Sequence, residues 1–129
     1  MNTLFTAIYT AYLASGLPVG GLTGLYNTEA PAGAVFPYGV FSLISKVPDG
    51  TFTEDFENCL IQFSLFSDNK TSPVEVCALY ELLKTTFDEV DLDYVGYKSV
   101  SLVRVIDMLT REDNVWFYMV QYRFLLEKN

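Results

Sequence analysis

The side chains that could do chemistry are few, and their spacing argues against most of it. The densest group is acidic: Asp88, Glu89, Asp91 and Asp93. Carboxylates this close are the oxygen set that a hard cation such as calcium takes. Counted as a calcium loop from Asp91, the fifth position falls on Val95 and the twelfth on Leu102. Neither side chain carries a ligand oxygen, so the pattern predicts a solvated acidic turn. Histidine does not occur, which removes Ser-His-Asp and Cys-His nucleophilic sites and imidazole zinc sites. There is no nucleophile elbow and no P-loop. Gly16, Gly20, Gly21 and Gly24 are spaced as a linker rather than as a dinucleotide site. Sixteen acids supply many carboxylate pairs, and nothing singles one out for acid–base work. Cys59 and Cys77 form no metal motif and are expected as reduced, buried thiols. No catalytic residue, cofactor or metal site is predicted.

Composition points to assembly instead. Half of the 129 residues are hydrophobic and 16% are aromatic, which is rich for one domain spanning residues 1–129. Surplus apolar area of this kind ends up in an oligomer interface. No apolar run approaches the ~18 residues of a membrane span. The first sixteen residues look superficially like a secretion signal. They lack a positive start, since the first basic residue is Lys46, and read as an amphipathic helix. The net charge is −8, and the eight cations are spread singly from Lys46 to Lys128. A surface that grips phosphates needs several cations together, so direct nucleic-acid binding is not expected.

The elements follow from periodicity. Asn2 or Thr3 can cap a first helix with Leu4, Ile8 and Tyr12 on its apolar face, stopped by Gly16 and Pro18. Residues 25–29 read as a short strand, and 30–34 as a turn. Strand two covers about Tyr38 to Val47, and strand three about Phe56 to Ser67 with Cys59, Ile61, Phe63 and Leu65 on one face. Ser72-Pro-Val-Glu75 has the form of a capping box with proline at the first helical position. It opens a helix to about Glu89 whose stripe is Val76, Leu79, Tyr80, Leu83 and Phe87. Strand four covers about Lys98 to Leu109, residues 111–114 a charged turn, and strand five about Val115 to Glu127. Trp116, Tyr118, Val120, Tyr122, Phe124 and Leu126 share one face of strand five. That stripe could stack bases, but core packing is the commoner use of such a face. The order α-β-β-β-α-β-β predicts an α+β domain, a mainly antiparallel sheet with both helices on one face. The other face then needs a cover, and a second subunit is the simplest one.

Strands two and three meet at a polar tip, Val47-Pro-Asp-Gly-Thr-Phe-Thr-Glu54, whose Pro48, Asp49 and Gly50 suit a turn. Phe52 has no obvious core to enter there. Asp49, Phe52, Glu54 and Asp55 at this tip are candidate contacts with a neighbouring subunit or another partner protein, as are Arg104, Arg111, Glu112 and Asp113. The three arginines, Arg104, Arg111 and Arg123, are expected to pair with acids such as Asp107, Glu112 and Asp113, or with a neighbour.

Three stretches together resemble a known family. Tyr26-Asn-Thr-Glu-Ala-Pro-Ala-Gly-Ala-Val-Phe-Pro-Tyr38, Leu60-Ile-Gln-Phe-Ser-Leu-Phe-Ser67 and Val120-Gln-Tyr-Arg123, in this order and with Thr51-Phe-Thr-Glu-Asp-Phe-Glu57 between the first two, are similar to the tail-terminator (tail-completion) proteins of long-tailed double-stranded-DNA bacteriophages. The resemblance spans essentially the whole chain. It implies a non-enzymatic virion protein, assembled in the host cytoplasm, that forms a homo-oligomeric ring, usually a hexamer. Such a ring caps the tail-tube protein and joins it to the head–tail connector protein, and DNA passes through it without being bound. A negative lumen suits that task, because it repels phosphate. Another connector or tail-tube protein of the same fold is the nearest alternative, and a small ligand-binding or enzymatic α+β domain a more distant one.

Overall fold

The computed structural model describes residues 2–50, 55–69, 71–88 and 90–128. Seven elements follow in the expected order: α1 (Asn2–Ala14), β1 (Leu25–Asn27), β2 (Tyr38–Gly50), β3 (Asp55–Ser67), α2 (Val74–Phe87), β4 (Tyr97–Glu112) and β5 (Val115–Lys128). The strands form one sheet in the order β1-β2-β3-β5-β4. β1 pairs with β2 in parallel, at Leu25–Gly39 to Asn27–Phe41, and every other pairing is antiparallel. The fold is α+β.

Alternation along the central strands decides which face the helices cover. Cys59, Ile61, Phe63 and Leu65 of β3, and Val120, Tyr122, Phe124 and Leu126 of β5, are completely buried. Side chains two apart share a face, so these eight make the floor of the core. α1 enters it with Leu4, Ile8 and Tyr12, and Phe5 meets Phe41 of β2 at 6.0 Å between ring centroids. α2 enters with the stripe read from the sequence, and Phe87 meets Phe63 at 4.7 Å. Phe41 and Phe63 are register partners and touch, so both helices lie on the same side of the sheet. Gly39 lets β1, β2 and β3 close up: a Cβ there would stand 3.0 Å from Leu25 and 3.1 Å from Leu65.

The start of α2 differs from the reading of Ser72–Glu75 as a capping box. The helix opens at Val74, after Pro73, and Ser72 Oγ accepts only a long bond from the Val74 N–H at 3.4 Å. Glu75 accepts a hydrogen bond from Ser67 Oγ at 2.6 Å instead of reaching back to Ser72. Ser67 ends β3 fully buried, and a buried hydroxyl claims the nearest acceptor because leaving it unpaired is costly. The helix also ends at Phe87, with Asp88 as its C-cap. Glu89, which the sequence put at its end, lies outside the described residues.

The two hairpins are longer than predicted. β2 and β3 stay paired from Tyr38–Phe66 out to Gly50–Asp55, with one bulge that turns Ile44 outward. β4 and β5 stay paired from Tyr97–Lys128 to Glu112–Val115, with bulges at Val100 and Val105. Asp113 and Asn114 close this hairpin at φ 50° and 63°, the left-handed pair a two-residue turn requires.

Candidate functional site

The residues singled out in the sequence do not converge. Arg104 of β4 sits on the helix side of the sheet, bonded to the hydroxyl of Tyr80 and paired with Asp107 at 3.5 Å and Asp88 at 3.7 Å. Tyr80 in turn donates to Asp107 at 2.9 Å, and Tyr122 to Asp88 at 2.5 Å. Of the expected arginine pairings, Arg104–Asp107 forms. Arg111 lies over the Trp116 ring at 4.8 Å rather than beside Glu112 or Asp113, and Arg123 bonds Asn58 at 2.7 Å. Glu112 and Asp113 stand exposed at the β4–β5 turn. Asp49 is the penultimate position of β2, and Asp55 the first of β3, beside the β2–β3 tip. Phe52 and Glu54 lie outside the described residues.

The acidic stretch is likewise dispersed. Asp88 is committed to Arg104 and Tyr122, and Asp91 accepts from Ser99 Oγ at 3.4 Å. Among the described residues no three potential metal ligands come together. Cys59 is buried, Cys77 is half-buried, and neither forms a disulfide. Burial raises the Cys59 thiol pKa, with Glu57 adding to the rise, so it is held in its unreactive form. Tyr80 is pushed up to about 12 by burial and its bond to Asp107. Tyr122 is raised by burial and then by Asp88. These phenols are held protonated as donors, which is a structural use of them.

What the fold does gather is uncovered apolar surface at the two margins of the sheet. β4 is one margin. Val103, Val105, Ile106 and Met108 are each about half exposed along it, and a strand with a free edge and apolar side chains invites a neighbour. The opposite margin is α1 with β1. Tyr9 and Leu13 of α1 are exposed, and a shallow depression between helix and strand is lined by Phe5, Thr6, Tyr9, Leu25 and Phe41. Charge separates these margins further. Residues 1–45, which build the α1–β1 margin, contain one charged side chain, Glu29.

The uncovered face of the sheet is mixed, as its alternation predicts. Its centre is polar, where Gln121 donates to Gln62 at 3.1 Å and Gln62 to Ser64 at 3.2 Å. Toward the β4–β5 turn it becomes aromatic. Phe36, Tyr38, Phe66 and Phe117 follow one another with centroids 5.1, 5.1 and 5.0 Å apart. This ribbon was missed in the sequence. Phe66 and Phe117 are register partners only once β3 and β5 are known to pair.

The fold is shared with a chain of a solved virion structure. A chain from the structure described as "Virion of native gene transfer agent (GTA) particle" superposes with a TM-score of 0.80. The likeness covers 98% of this chain and 96% of that one at 16% sequence identity, so it speaks for shared architecture. No protein-family model matches the chain, and no curated protein matches it by sequence.

Proposed function

We propose that this protein is a structural component of a phage-like virion that closes into a ring of six at the end of the tail tube and joins the tube to the head connector. The observation that carries the reading is the pair of unlike apolar margins, β4 on one side of the sheet and uncharged α1–β1 on the other. Two unlike, complementary surfaces on opposite sides make a head-to-tail contact, and head-to-tail contacts close into rings or run on as filaments. A two-fold dimer would bury one margin and leave the other open. The fold shared with a gene transfer agent virion chain supports the virion setting. The resemblance of Tyr26–Tyr38, Leu60–Ser67 and Val120–Arg123 to tail terminators supports the place within it.

The charge fits a conduit for DNA. The net charge is −8. Lys46 is paired with Glu57, Lys98 with Glu127 and Arg104 with two aspartates, while Arg111 and Arg123 are held by Trp116 and Asn58. Cations so engaged are poorly placed to gather phosphates. The long β2–β3 hairpin, paired out to Gly50 and Asp55, is the arm that reaches a neighbouring subunit or the tube. The ring is tested by comparing the solution mass of the wild type with that of Val103→Asp/Met108→Asp. A multimer that the double substitution reduces to a folded monomer supports it, and a wild-type monomer or dimer counts against it.

A further inference from the structure

We propose that the aromatic end of the uncovered sheet face is a docking trough for an extended segment of another virion protein, one that brings a lysine or arginine side chain next to an apolar one. The proposal rests on the virion reading above and names a class of partner for a surface that ring closure through the sheet margins leaves free.

The floor is the ribbon of Phe36, Tyr38, Phe66 and Phe117, contributed by the loop before β2 and by β2, β3 and β5. One depression lies on this ribbon and is completed by Thr110, Glu112 and Asp113. A second shares Tyr38 and Phe66 and runs toward Glu29, with Ser42 and Gln62 along it. The trough thus has aromatic rings in the middle and carboxylates at both ends. No lysine or arginine lines either depression. Glu29, Glu112 and Asp113 make no ion pair among the described residues. The nearest arginine in sequence, Arg111, is turned to the other side of the sheet over Trp116, so it does not neutralise Glu112.

Charge complementarity selects the occupant. Ring faces attract cations, and carboxylates bond guanidinium and ammonium groups strongly. An acidic segment, or a DNA phosphate, would meet Glu29, Glu112 and Asp113 with nothing to offset them. A purely apolar segment would fill the ring floor and leave the acidic ends unused. Gln62 and Ser64, which line the second depression, suit the backbone of a chain laid across the sheet.

The test uses the intact protein and two probes, N-acetyl-leucyl-arginine amide and N-acetyl-leucyl-glutamate amide, with binding followed by shifts in methyl and aromatic NMR signals. The arginine probe should shift Thr110, Phe66 and Phe117 in a saturable way, and the glutamate probe should not. Glu112→Lys, an exposed change that leaves the rings in place, should weaken the arginine probe about tenfold. Shifts scattered over all acidic surfaces, equal response to both probes, or binding indifferent to Glu112→Lys would overturn the proposal. Solution mass recorded on the same samples separates the two readings. A ring that ignores the probe ends the docking proposal alone, whereas a monomer that binds it ends the ring.

Discussion

Tyr122 of β5 donates to Asp88 at 2.5 Å and so ties the middle of the sheet to the last turn of α2. The bond spans 34 residues of sequence, and Arg104 holds the same carboxylate from β4. Three elements therefore share one aspartate. Tyr122→Phe keeps the ring packing against Phe63 and Phe87 and deletes only the donor. It should cost about 1.5–3 kcal/mol in urea unfolding, the range for a bond to a charged acceptor. No measurable cost would mean that the carboxylate is satisfied without the phenol.

The same phenols set a response to alkali. Tyr80 rises to about 12 from an unfolded value near ~10, and Tyr122 is raised as well. For a group whose folded pKa is raised, stability is complete below the unfolded pKa and is lost as pH climbs through the folded one. Melting temperature should thus hold level up to about pH 10 and fall above it. The fall should be shallower in Tyr80→Phe, and parallel curves for variant and wild type would refute the role given to Tyr80.

Much of the layout was legible because burial follows alternation. The Trp116–Leu126 face of β5 and the α2 stripe both came from spacing alone, and the structure bears them out. The misses have physical causes. A bulge adds a residue without disturbing composition, so nothing marked Ile44, Val100 or Val105 as outward kinks. Ser72–Glu75 had the right residues for a capping box, but Ser67, five positions upstream of Ser72, competed for Glu75. The Arg104–Asp88–Tyr122 group depends on which strands are neighbours, and that order is not written in any local pattern.

The β4 margin should tolerate charge in the monomer and not in the assembly. Val103→Asp or Met108→Asp should change monomer stability by no more than about 0.5 kcal/mol, as at other surface positions, while lowering the solution mass. Loss of several kcal/mol on urea titration would place these side chains in the core instead.

Duplex DNA should not bind at ~0.15 M salt, where exposed charges are screened beyond ~8 Å. Fluorescence anisotropy with a short labelled duplex is sufficient. Micromolar affinity with a steep salt slope would show cations gathered on one surface of the assembly, and the repulsive conduit would have to be abandoned.

Negative-stain imaging of the purified protein, paired with native mass spectrometry, addresses the head-to-tail ring most directly. The expected result is a closed annulus of identical subunits, six in number, with β4 of each beside α1 and β1 of the next. A two-fold dimer, or a monomer that persists to tens of micromolar in both low and moderate salt, would contradict it.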